Sequence, residues 1–272
     1  MGHHNIQYSG DLSSYNGAWS PPTSRANFCE EDYVISFYIA EFINSLTNVA
    51  YVYYALCALY PSGMRSARGF VRPKADFMLL SLLTLGIGSF LFHATMRQTL
   101  EFADEFSMLG LTWSLLQAGL TAGQPAARAR RITAALAAAY LSFSAFYLWS
   151  AEIIYQVFAF TGALLGVLLR SQYVFHLARP ALPEAKWRDW NRRTWKALGI
   201  CVFGYLLWTV DLERCADLRA LRERVGLPWA WLFEFHGWWH ILTAVGASQA
   251  MQVAREVREE LKTERRSSSR SK

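Results

Sequence analysis

The residues best suited to chemistry lie near the C-terminal end, in Glu234-Phe235-His236-Gly237-Trp238-Trp239-His240. Two histidines four apart on a helix share a face about one turn apart, so both imidazoles can reach a single metal ion. His93, in Ser89-Phe90-Leu91-Phe92-His93, is the other histidine embedded in an apolar helix-like run, and a third ligand can sit there at similar depth. Three histidines with one open position is the pattern of catalytic zinc. Packing histidines would satisfy the same spacing, but ionisable side chains inside apolar spans are rare and usually functional. The acid of a His-Glu-x-x-His protease is missing, because Gly237 follows His236. A general base must therefore come from elsewhere, and Asp104, 11 residues after His93, is the candidate. On one straight helix the two would stand about 16 Å apart, so a turn near Gln98 is required to fold Asp104 back beside His93. Ser89, one turn before His93, suits a hydrogen bond to a developing oxyanion or to the attacking water. It suits equally a close helix contact.

A second cluster precedes the first apolar run. Asn27-Phe28-Cys29-Glu30-Glu31-Asp32 is followed by Glu41 inside that run. Carboxylates, amides and backbone carbonyls are the ligands of hard cations such as calcium. A solvated acidic cap on a helix N-terminus is the plainer account of the three consecutive acids. Glu41 is harder to dismiss, since an uncompensated carboxylate in a membrane helix costs roughly 2.5 kcal/mol or more. Asn44 and Asn48 continue its polar stripe down one helix face.

The elements that must position these groups are helices. Of the 272 residues, 53% are hydrophobic and 15% aromatic, and the apolar ones are gathered into runs at about 34–59, 77–95, 106–122, 132–148, 153–174, 197–210 and 228–250. This predicts an all-α polytopic membrane protein, a bundle of seven transmembrane helices. A polar segment, 1–32, precedes the membrane domain, 33–250, and a basic tail, 251–272, follows it and is expected to be disordered and cytosolic. No apolar signal-peptide core precedes the first run. Most of the 27 Lys and Arg residues fall after the first, third, fifth and last runs, which by the positive-inside rule puts the N-terminus in the lumen and the C-terminus in the cytosol. The net charge of +6 then needs no nucleic acid, because a basic cytosolic face beside anionic lipid accounts for it. Glu41, His93, Asp104 and the histidine pair all fall toward the lumenal side of their runs, at one depth. Trp187, Trp190 and Trp195, mixed with Lys and Arg, suit an aromatic belt at headgroup level. Of the four cysteines, Cys29 and Cys215 both fall in lumenal segments, where they could pair in an oxidising compartment or remain free thiols.

Three blocks in order, Phe28-Cys29-Glu30-Glu31 with Tyr38-Ile39-Ala40-Glu41-Phe42, Gly88-Ser89-Phe90-Leu91-Phe92-His93-Ala94-Thr95 with Asp104-Glu105, and His236-Gly237-Trp238-Trp239-His240, resemble the alkaline ceramidases. These are seven-span enzymes of the superfamily that includes the adiponectin and progestin receptors. The resemblance implies zinc on His93, His236 and His240, with Asp104 handling the water and Ser89 completing the site. It implies a calcium site from Asn27, the carbonyl of Phe28, Glu30, Asp32 and Glu41, with Asn27 and Asp32 exchanged relative to the usual aspartate and asparagine. It also implies a lumenal Cys29–Cys215 disulfide, an endoplasmic reticulum or Golgi membrane, and ceramide as the lipid substrate. The implied reaction is hydrolysis of the ceramide amide, phytoceramide and dihydroceramide types included, to a long-chain base and a fatty acid. A receptor-like member of the same superfamily, with structural zinc and secondary hydrolase activity, is the rival. The acidic block favours the enzyme branch. A transporter is disfavoured, since no inverted repeat or broken-helix signal is present.

Overall fold

A computed structural model describes residues 12–60, 65–66, 69–70, 75–178 and 184–270. The first 11 residues of the N-terminal segment, and Arg68, Arg72, Lys74, Arg179 and Lys272, which contribute to the orientation argument, lie outside the described residues. The helices are α1 (Phe42–Thr47), α2 (Val49–Leu59), α3 (Phe77–Thr95), α4 (Gln98–Thr121), α5 (Ala126–Ser150), α6 (Ile153–Gln172), α7 (Glu184–Glu213), α8 (Cys215–Val225) and α9 (Phe235–Arg270). A two-residue antiparallel pair, Arg65–Ser66 with Gly69–Phe70, lies between α2 and α3, and a turn of 3-10 helix, Trp229–Phe233, leads into α9.

Five stretches among the described residues are long and apolar enough to cross a membrane: Phe42–Leu59, Phe77–Thr95, Ala126–Ser150, Ile153–Leu177 and Glu184–Glu213. Seven crossings are expected from the sequence, and the two helices that fall short are α4 and α9. Their composition explains it. The first turns of α4 carry Glu101, Asp104 and Glu105, and α9 carries His236 and His240 before a charged second half. Asp104, His236 and His240, proposed for chemistry, are thus among the residues that lower the apolarity of the helices holding them.

The chain divides into two compact units, and each is described by itself. The first comprises Met1–Ser107 with Gly199–Val245. Here α3 begins where Asp76 caps it, its carboxylate accepting the N–H of Leu79 at 2.9 Å. It ends at Met96, which adopts left-handed backbone at φ 50 and lets the chain reverse into α4. The apolar run that predicts a helix begins at Val34, yet α1 starts only at Phe42. The reason is a competing set of hydrogen bonds. Ala40 N–H donates to the carbonyl of Ala94 and Glu41 N–H to that of His93, at 2.9 and 3.0 Å, so residues 12–41, a strap preceding α1, complete carbonyls that the end of α3 cannot satisfy itself. Ala26, Phe28, Ala40, Phe92 and Met96 bury this junction. Gly88 allows α3 and α4 to approach, since a Cβ there would lie 3.2 Å from Ser107 Oγ and 3.4 Å from the Ala103 carbonyl. Cys29 and Cys215 form a disulfide that ties the strap to the start of α8.

The second unit comprises Met108–Leu198 with Gly246–Lys272. Helices α5 and α6 turn large apolar side chains outward, Leu141, Trp149, Phe158 and Leu169 among them, the inside-out distribution expected of surfaces meeting lipid rather than water. Arg170, a charge within an apolar run, donates from Nε to the carbonyl of Gly119 at 3.0 Å. Trp190 departs from the expected headgroup belt. It is buried with Val174, Phe175, Val253 and Val257, and its indole N–H donates to Glu256 at 2.9 Å. That packing also corrects the expectation of a disordered tail, because α9 continues unbroken to Arg270. The bare composition of the last 22 residues is that of a solvated coil, but Val253 and Val257 give it an apolar stripe, and Arg193 and Lys186 of α7 pair with Glu256 and Glu260. Replacing Val257 by Asp should release this segment. Trypsin should then cut at Arg258 and Lys262 in the variant several-fold faster than in the native protein, followed by mass spectrometry of the fragments.

Candidate metal centre

The site belongs wholly to the first unit. His93 enters from the last turn of α3, and His236 and His240 from the first turns of α9. Their ring centroids are 4.6 to 4.9 Å apart, and one ligand nitrogen from each lies within 4.8 Å of the others. All three are buried, at 1%, 4% and 3% exposure. Among the described residues this is the one cluster of three or more His, Cys, Asp or Glu ligand atoms at metal-binding distance.

Two of the rings are oriented by specific partners. His93 Nδ1 lies 2.7 Å from Glu41 Oε2. As the carboxylate accepts, Nδ1 carries the proton, which leaves Nε2 as the unprotonated nitrogen. His240 Nδ1 lies 3.0 Å from Thr47 Oγ1, whose single hydroxyl proton is directed to the carbonyls of Ile43 and Asn44 at 2.9 and 3.0 Å. Thr47 therefore accepts from Nδ1, and Nε2 is again the free nitrogen. A ligating histidine whose other nitrogen donates to a carboxylate or hydroxyl is a recurrent arrangement at metal sites. Gly237 makes the second contact possible: a Cβ there would stand 3.1 and 3.2 Å from the methyl groups of Thr47 and Ile43. The ring of Phe28 lies 4.0 Å from that of His236 and 5.0 Å from that of His93, so its side chain as well as its carbonyl belongs to this region.

Ser89 and Asp104 face each other across the α3–α4 contact, the Ser89 hydroxyl being the side-chain hydrogen-bond partner of the Asp104 carboxylate. The reversal at Met96 and Arg97 supplies the turn that the sequence demands near Gln98. Asp104 is buried at 8% exposure, and its Oδ1 has no hydrogen-bond partner. It is not among the clustered ligand atoms. Tyr51 stands beside both parts of the site. Its ring is 6.4 Å from that of His240, its hydroxyl bonds that of Thr243, and it lies within electrostatic range of Asp104.

The five oxygen donors expected for calcium are placed less uniformly. Glu30, Asp32 and Glu41 are all buried, at 5%, 2% and 0% exposure. Glu30 accepts the N–H groups of Ile43 and Asn44 at 2.6 and 2.8 Å and so caps α1 from a distance. Glu41 is shared between His93 and Asn44 Nδ2, the latter at 2.9 Å. Asn27 turns its Oδ1 back on the N–H of Phe28 at 2.9 Å. Their three carboxylates do not form a second tight ligand cluster. Burial, reinforced by the nearby Glu41 carboxylate, pushes the Glu30 carboxyl up from 4.5 to about 8. Asn44 Oδ1 is buried without a hydrogen-bond partner beside them. An oxygen-only set of buried acids with a spare amide oxygen has the chemistry of a hard-cation site.

Some of the machinery leaves no trace in the sequence. Thr47 and the Phe28 ring are ordinary residue types in their runs. Asp211, fully buried, accepts the N–H of Cys29 and the N–H of His236, both at 3.3 Å, and nothing in its spacing from either points there.

A family model described as Ceramidase matches residues 20–271. Alkaline ceramidase 3 of Mus musculus is 26% identical over 233 residues, covering 85% of this chain and 82% of its own. Alkaline ceramidase YPC1 of Saccharomyces cerevisiae is 29% identical over 252 residues, covering 86% of this chain and 76% of its own. An alkaline ceramidase of Arabidopsis thaliana is 35% identical over 98 residues, about a third of either chain.

The raised Glu30 carboxyl carries a testable consequence. Between 4.5, its unfolded value, and about 8 the folded protein holds a proton that the unfolded chain has lost, so stability should fall as pH rises through that window. The melting temperature of chelator-treated protein should therefore decline from pH 5 to pH 8. Added calcium should raise it more at pH 8 than at pH 5, and the fall should shrink in Glu30→Gln.

Proposed function

The chain belongs to the ceramidase family and is a ceramide-hydrolysing enzyme, and on that premise we propose that the reaction runs at the three-histidine cluster with zinc as its metal. The observation that carries this reading is the cluster of three buried imidazoles with ligand nitrogens within 4.8 Å of one another, two of which have Nδ1 against a protein oxygen, which leaves Nε2 of those two for a metal. An all-imidazole set suits zinc, whereas calcium or magnesium would call for oxygen ligands. When bound, zinc supplies polarisation of the amide carbonyl and a lowered pKa for water. The rest falls to the chain's own residues. Asp104 takes the proton of the attacking water on its unpartnered oxygen and returns it to the leaving nitrogen, so that the amine departs neutral. Ser89 donates its one hydroxyl proton to the other side of that carboxylate while Asp104 is ionised, and that proton becomes available to the carbonyl oxygen, as it gains charge, only once Asp104 has taken the proton of the water. Glu41 and Thr47 hold two of the rings against rotation.

The products are a long-chain sphingoid base and a free fatty acid, from ceramide and its phytoceramide or dihydroceramide forms. Water is a poor nucleophile toward an unactivated amide, and a membrane bundle can admit two acyl chains that a soluble cleft would hold with difficulty. Calcium, held by Asn27, the Phe28 carbonyl, Glu30, Asp32 and Glu41, braces the strap against α1 and, through Glu41, against His93. The membrane arrangement goes with this: seven crossings with α4 and α9 counted among them, the N-terminal segment and the site toward the lumen of the endoplasmic reticulum or Golgi, and the C-terminus in the cytosol.

Purified protein given labelled ceramide should release free long-chain base. Chelation should abolish release and zinc should restore it. Asp104→Asn should retain stoichiometric zinc while losing at least about 100-fold in turnover, the usual scale of a general acid–base contribution. Loss of the metal instead would make Asp104 a structural residue, and release of base by chelated protein or by His93→Ala at the native rate would refute the metal mechanism.

A further inference from the structure

The first turn of α9 has an unusual cap. A helix leaves its first N–H groups without internal partners, and an acidic or hydroxyl side chain just before the first turn ordinarily takes them. Glu234 stands at that position, but its carboxylate is engaged by Arg222 at 2.8 Å. The N–H groups of Phe235 and His236 are instead directed to Asp211, near the end of α7, the second at 3.3 Å. The other oxygen of Asp211 accepts the N–H of Cys29. On its far side, the Cys29 carbonyl accepts from Arg219 at 2.9 Å and from Arg222 at 2.8 Å. One fully buried carboxylate thus joins the start of the helix that bears two of the three histidines to the disulfide-linked strap.

We propose that Asp211 is a positioning residue for the metal centre: by capping α9 it fixes the rotation of the first turn, and so the place of the His236 imidazole relative to His93. Its action is through the backbone, since it bonds the peptide N–H of His236 and not the ring. Asparagine cannot reproduce the arrangement, because its single carbonyl oxygen can serve the α9 turn or Cys29, while its amide group would turn a donor toward the N–H that the other oxygen had served. His240, a turn further on and held separately by Thr47, depends on the cap less.

This proposal rests on the reading of the three histidines as a metal centre. The test uses the full chain in detergent, with zinc affinity measured by competition against a chromophoric chelator and the visible spectrum recorded with cobalt in place of zinc. Asp211→Asn should melt below the native protein when both are metal-free, as loss of a buried acceptor requires, while its helix content by circular dichroism stays native. It should nevertheless bind zinc about 10-fold more weakly or worse, the range found for partners that orient metal ligands, and its cobalt spectrum should change. In a His236→Ala background the same substitution should cost nothing further in affinity. Native affinity and an unchanged spectrum in Asp211→Asn would overturn the proposal, as would an equal loss in the His236→Ala background. If Asp211→Asn does not fold, Asp211→Glu, which keeps the charge but moves it by one methylene, is judged by the same two outcomes. Failure of the native protein to bind zinc would overturn the metal-centre reading itself, a result distinct from a native protein that binds zinc while the variant matches it.

Discussion

The contact on which the rest depends is the 2.7 Å hydrogen bond between Glu41 and His93. Both side chains are almost fully buried, at 0% and 1% exposure, so neither is stabilised by water. A buried carboxylate alone is costly, and so is a buried imidazole that must keep one fixed tautomer. Each gives the other a hydrogen-bond partner, and the same two residues are joined again where Glu41 N–H meets the His93 carbonyl. This double link sets where α1 begins, how α3 ends, and which nitrogen of His93 is spent on the carboxylate. Removing the carboxylate would leave the ring free to rotate and the strap without its anchor.

Around that contact the first unit uses polar residues that are each engaged more than once. Glu30 caps α1, Asp211 caps α9, and Arg222 bridges Glu31 and Glu234 while holding Cys29. Such buried networks are effective when every member is satisfied and expensive when one is lost. The acidic strap, the disulfide and the histidines therefore form one polar assembly within an otherwise apolar unit, which accounts for acids and histidines in helices whose neighbours are bare of charge.

How much of this could be read in the sequence differs from residue to residue. His236 and His240 declare themselves by their spacing, and His93 by being a lone histidine in an apolar run. Asp104 is legible only with the further requirement of a turn, which the left-handed Met96 supplies. Glu41 stands out as a carboxylate where none is cheap, yet its contact with His93 spans 52 positions, and no local pattern encodes it. Thr47, the Phe28 ring and Asp211 act through tertiary contacts alone. The start of α1 is misjudged because the apolar run continues through Val34 while the backbone is diverted to the end of α3. The tail is misjudged because its composition is polar while Val253 and Val257, four apart, supply the stripe that packs it.

The central claim is that three imidazoles hold the catalytic metal. X-ray absorption at the zinc edge of protein purified without added metal measures it most directly. One zinc per chain is expected, with three imidazole nitrogens at about 2.0 Å and a single further light ligand, and with one imidazole lost from the signal in any His→Ala variant that still binds metal. A protein carrying no stoichiometric metal, or a coordination shell of sulfur or carboxylate oxygen that is unchanged when His93 is replaced, would contradict it.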